Sequence, residues 1–132
     1  MAGVRIIRAD ERTLSTAQTT NMRREAAIEP REGATGPQLW MGLVTTPPGG
    51  VSGWHHHGEC VSGIYVVSGR ARFSWGPGGQ EQAEVGPGDF LEVAAGAIHQ
   101  EEALGETPLV LVVARGAAGT LVFNTSEPEP TA

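Results

Sequence analysis

From residue 38 onward, apolar and polar positions alternate in short runs, each closed by glycine or proline. This is the pattern of strands with one buried face. QLWMGLVTT at 38–46 alternates loosely and stops at Pro47-Pro48-Gly49-Gly50. SGIYVV at 62–67 is rich in β-branched and aromatic residues and ends at Ser68-Gly69. RARFSW at 70–75 alternates strictly, with Ala71, Phe73 and Trp75 on one face and Arg70 and Arg72 on the other. The aromatic residues set the parity, which sends the two arginines outward. Polar residues at 80–85 read as an edge strand between two turns, Gly76-Pro77-Gly78-Gly79 and Gly86-Pro87-Gly88-Asp89. Further runs at 90–94, 98–103, 109–114 and 120–123 complete the series. Strands this closely spaced predict an all-β antiparallel sandwich or barrel over residues 36–124.

The two ends read differently. Residues 1–35 form an N-terminal arm, in which VRII at 4–7 is a candidate edge strand for a neighbouring sheet and 21–27 a candidate helical turn. TSEPEPTA at 125–132 has no apolar anchor, and a disordered tail is expected. No internal repeat is present.

Composition narrows the picture. The 132 residues fit one domain, and 19 glycines with nine prolines match many tight turns. Fifteen acidic against nine basic residues give a formal charge of −6, and lysine is absent. No basic cluster is available to neutralise phosphates, which argues against a nucleic-acid partner. Cys60 is the only cysteine, so no disulfide can form within the chain, as suits a reducing cytoplasm. The opening residues lack a hydrophobic signal core, and the longest apolar run, LVLVVA at 109–114, is too short to span a bilayer. The expectation is a cytoplasmic protein without a membrane partner.

The chemistry concentrates in GWHHHGEC at 53–60. Alternate side chains of a strand share a face, so His55 and His57 project together while His56 points away. An H-x-H pair presents two imidazole nitrogens to one ion, and neutral imidazole suits Fe, Mn, Ni, Cu and Zn. A third ligand must come from elsewhere, and His99 is the remaining histidine. Without His99, a solvent-exposed polar run is an equally good account of the three histidines.

The wider pattern resembles the two motifs of the cupin superfamily. In the first, a glycine is followed after five residues by H-x-H, then a glutamate, then a glycine. Here Gly49, His55, His57 and Gly69 match. In the second, a glycine is followed by P-x-G and a histidine. Here Gly88, Gly96 and His99 match, while Ala94 stands where proline is usual. The resemblance covers residues 38–123. It implies a small single-domain cupin β-barrel, a jelly-roll-like sandwich, with His55, His57 and His99 meeting at its mouth on one divalent transition-metal ion. It also implies a homodimer, which the apolar 4–7 stretch would help to form by pairing across subunits.

One departure matters. The glutamate that normally completes such a site is replaced by Ser62, which offers no anionic oxygen at neutral pH. Glu59 is a candidate replacement ligand if the strand continues through Gly58; the alternative is a solvated carboxylate at the rim. Glu101 follows His99 by two residues and is a candidate catalytic base or supporting acid, with a plain surface acid as the alternative. Three neutral ligands leave an ion its full double charge and open positions for substrate. Such a centre resembles those of thiol and diketone-cleaving dioxygenases, or of cupin cyclases and isomerases when no redox step is involved. The expected activity is therefore on a small oxygenated organic molecule. A ligand-binding or sensor cupin built on the same barrel is the alternative.

Overall fold

The computed structural model describes residues 3–117 and 121–130. Among the described residues, ten strands build two antiparallel five-stranded sheets. They are β1 (Arg23–Ile28), β2 (Gln38–Thr46), β3 (His55–His56), β4 (Ser62–Ser68), β5 (Arg70–Trp75), β6 (Glu81–Val85), β7 (Phe90–Val93), β8 (His99–Leu104), β9 (Leu109–Ala117) and β10 (Phe123–Asn124). One sheet has the order β1-β2-β9-β4-β7 and the other β10-β3-β8-β5-β6. Among the described residues no helix is long and apolar enough to cross a membrane.

The long strands β2, β4 and β8 turn one residue in two toward the space between the sheets. From the first sheet come Trp40 and Val44 of β2, Ile64 and Val66 of β4, and Leu109, Leu111 and Val113 of β9, all buried. Ala71 and Phe73 of β5 and Ala103 of β8 meet them from the second sheet. The outer face of the first sheet carries Leu39, Tyr65, Val67 and Phe90, all exposed, with the Tyr65 and Phe90 rings 4.8 Å apart.

The long strands follow the alternation, but the N-terminal stretch departs from it. The stretch 21–27, expected to make a helical turn, instead runs into β1, which pairs with β2 from Arg23↔Thr45 to Ile28↔Met41. The reason is parity: Met22, Arg24 and Ala26 all face inward and are buried, so this polar-looking stretch has an interior face. Residues 4–7 form no strand, and Val4 is 92% exposed. Beyond Asn124 no strand continues among the described residues; the backbone touches the body through Thr125 N–H to Trp54 O (2.9 Å) and Gly78 N–H to Glu129 O (2.8 Å).

Candidate metal centre

His55 lies on β3 directly opposite His99 at the start of β8, and their rings are 4.3 Å apart. His57 follows just beyond β3, its ring 5.2 Å from that of His55 and 5.3 Å from that of His99. All three are buried, and one ring nitrogen from each lies within 4.8 Å of the other two. His56 takes the opposite face as expected, stacked on Phe123 at 4.7 Å.

Every one of these imidazoles is oriented by a backbone carbonyl. Nδ1 of His55 lies 2.9 Å from Gly53 O, that of His57 2.8 Å from Leu121 O, and that of His99 2.9 Å from Ala97 O. A carbonyl oxygen only accepts, so each Nδ1 carries the proton and each Nε2 presents a lone pair. Burial, the largest cause, holds His55 and His57 far below the usual imidazole range and His99 at about 4. All three are therefore neutral at pH 7, the form a metal requires. Nε2 of His55 is buried without a hydrogen-bond partner. An orphaned, correctly protonated acceptor beside two others is the donor set of a transition-metal site.

Glu59 does not join them. Gly58 has φ +58, which turns the chain after His57, and Cys60 N–H closes that turn on His57 O at 3.0 Å. The strand parity that would have kept Glu59 on the ligand face ends there, and its side chain is exposed. Glu101 does face inward, one alternation deeper than His99, and is 2% exposed. Burial pushes its carboxyl up to about 7, against the pull of Arg24 and Arg115. Its Oε2 has no hydrogen-bond partner.

Two buried arginines, Arg24 and Arg115, add cations to this interior. Arg24 donates to Thr19 Oγ1 (2.8 Å) and Ala17 O (3.1 Å). Arg115 donates from Nε to Ser62 Oγ (3.0 Å) and lies over the Trp40 ring at 4.9 Å. Its Nη2 stands 3.3 Å from His57 Nε2, while its Nη1 finds no partner. Burial lowers both guanidiniums, Arg24 to about 10 and Arg115 to about 9, so both stay charged at pH 7. The signal for Arg115 was present: it is in phase with the inward Leu109, Leu111 and Val113. By contrast, Arg70 and Arg72 do face out, pairing with Glu84 at 3.0 and 3.7 Å.

A cavity of about 240 Å³ leads to His99, walled by Phe73, Trp75, Leu91, Val93 and Ala97. Trp75, expected in the interior, is 38% exposed because its inward face lies at this opening.

Known proteins share this arrangement of sheets. A protein with a double-stranded β-helix domain from Klebsiella pneumoniae subsp. pneumoniae MGH 78578 superimposes with a TM-score of 0.69. The identity is 18%, over 95% of this chain and 100% of that one. The polyketide cyclase RemF from Streptomyces resistomycificus gives a TM-score of 0.72 at 18% identity, over 97% and 90%. An oxalate oxidase in complex with the substrate analogue glycolate gives 0.60 at 21%, over 66% of this chain and 46% of the oxidase. No curated protein matches the sequence. The sequence pattern of the cupin domain matches residues 42–115, more than half of the chain. With both motif histidine sets converging between two antiparallel sheets, the chain belongs to the cupin domain family.

Proposed function

We propose that the chain is a metal-dependent cupin enzyme acting on a small oxygenated organic molecule, with His55, His57 and His99 holding one divalent ion. The observation that carries this reading is the donor set: three neutral imidazoles, each with its Nδ1 proton committed to a carbonyl and its Nε2 free to ligate. When bound, such an ion supplies a Lewis acid for a carbonyl oxygen or, if redox-active, a centre for oxygen chemistry.

The chain's own groups do the rest. The apolar cavity seats the body of the substrate and keeps water from it. Glu101, balanced between its two protonation states near pH 7, is suited to hold and return a proton. A proton-holding group in the same interior favours carbonyl activation, as in cyclisation or isomerisation, over oxygenation. What supports a homodimer is the exposed apolar face of Leu39, Tyr65, Val67 and Phe90 rather than residues 4–7.

The test begins with metal content. Purified without a histidine tag, wild type and His56→Ala should retain about one equivalent of ion, and His57→Ala and His99→Ala under about a tenth. Saturation at a hundredfold excess over Kd should raise stability by ~2.7 kcal/mol. A wild type that neither retains nor is stabilised by Fe, Mn, Ni, Cu or Zn sinks the proposal. Turnover of diketones by the zinc or nickel form without oxygen supports carbonyl activation, oxygen consumption by the iron(II) form favours oxygenation, and binding without turnover marks a binding module.

A further inference from the structure

The charge of the interior is unbalanced. Among the described residues no carboxylate joins the three histidines, and each imidazole has its Nδ1 on a backbone carbonyl rather than on an acid. Arg24 and Arg115 are both buried, and among the described residues Glu101 is the one buried carboxyl. A divalent ion would add to this excess, and buried charge without a counter-charge is costly. Arg115 is also the group that stands at the departure from the cupin pattern. Its Nε is pinned to Ser62, in place of the usual glutamate, at 3.0 Å, and its Nη1 is buried without a hydrogen-bond partner.

The Nη2 of Arg115 donates to the lone pair of His57 that an ion would take. Ligation of His57 would therefore release Nη2, and the guanidinium would then carry two nitrogens, Nη1 and Nη2, with no acceptor in the protein. Two parallel N–H donors are the geometry that recognises a carboxylate. From the other side, the cavity reaches His99 between apolar walls, and its one wall carboxylate, Glu92, is exposed at the rim.

We propose that Arg115, held by Ser62 and Trp40, is an anion-binding residue beside the three-histidine centre, and that the substrate is a small carboxylate with an apolar body. This deepens the metal-enzyme reading and rests on it. Ser62 and Arg115 together take the place of the absent glutamate: the negative charge that other cupins build into the protein arrives here with the ligand.

The experiment uses the full chain loaded with zinc and titrates benzoate and its uncharged counterpart benzamide by calorimetry, with bound zinc measured on the same samples. Wild type should bind benzoate and not benzamide. Arg115→Gln should keep its zinc and lose at least tenfold in benzoate affinity. Ser62→Glu retains the arginine but supplies an internal carboxylate, so it should keep zinc and lose benzoate to the same degree; it carries the test if Arg115→Gln does not fold. Equal binding of benzoate by wild type and both variants, or of benzamide and benzoate by wild type, overturns the proposal. If wild type takes up no zinc, the metal reading fails by itself. Benzoate binding to the zinc-free protein that disappears in Ser62→Glu would then still support the subsite, and its absence would overturn it.

Discussion

At Glu101 two effects oppose each other: burial favours the neutral carboxyl, while Arg24 and Arg115 favour the carboxylate. Burial wins, and the folded state holds the proton up to about pH 7, where an unfolded chain would release it near the ordinary value of 4.5. A raised acid of this kind contributes stability that is complete below the unfolded value and is lost as pH rises through the folded one. Glu101→Gln removes that loss. Relative to wild type, the metal-free variant should gain about 3 kcal/mol between pH 4.5 and 7.5, read by urea denaturation. A difference that does not change with pH would show that the carboxyl titrates normally. The inward position of Glu101 was legible two residues after His99, because β8 keeps strict alternation. That of Arg115 was legible in the same way but only if the strand is carried past Ala114, and a charged residue gives no composition signal that it should be. The failure of Glu59 was not legible, since the positive φ of Gly58 is a backbone choice that sequence parity does not report.

Between elements, the critical passage is a single residue. β4 belongs to one sheet and β5 to the other, and Gly69 alone lies between them with φ +81. A Cβ there would press on Pro108 O and approach Leu109 Cα to 2.9 Å, at backbone of the fully buried start of β9. Gly69→Ala should therefore cost about 3 kcal/mol, combining left-handed strain with overpacking against main chain that cannot move aside. Gly63→Ala, on the outer face of β4 with nothing within 4 Å of the new methyl, should change stability by under about 0.5 kcal/mol. Similar losses in both variants, by denaturant midpoint, would refute the account. The strands β2 and β5 were legible to the residue because apolar alternation and flanking Gly/Pro agree there. β1 was hidden, because Arg23, Arg24 and Glu25 mask an alternation whose inward members include a buried cation.

For the whole molecule, the three histidines govern the acid limb of stability. Their folded pKa values lie below the unfolded value of 6.5, with His99 at about 4 and the other two lower still. The contribution is intact above pH 6.5 and is lost as pH falls, because the unfolded chain takes up protons that the fold refuses. Near pH 5 the three histidines together bind about three more protons unfolded than folded, and Glu101 offsets close to one. The net of about two corresponds to about 3 kcal/mol per pH unit, large against a typical total of 5–15 kcal/mol. Stability of the metal-free protein should fall with about that slope between pH 6 and 5, and saturating zinc should raise the whole profile with little change of slope, because the folded imidazoles carry no proton for zinc to displace. A flat profile in this window would mean the imidazoles are not held neutral.

The carbonyl partners of the imidazoles lie at Gly53, Ala97 and Leu121, in segments far apart along the chain. An ion held by His55 and His99 would close a loop on the order of 40 residues, a constraint comparable to a disulfide worth ~4 kcal/mol in lost freedom of the denatured chain. With one cysteine the chain has no covalent means to the same end. The centre that does the chemistry would thus also act as a removable staple, making resistance to unfolding, and with it lifetime against proteolysis, depend on metal supply.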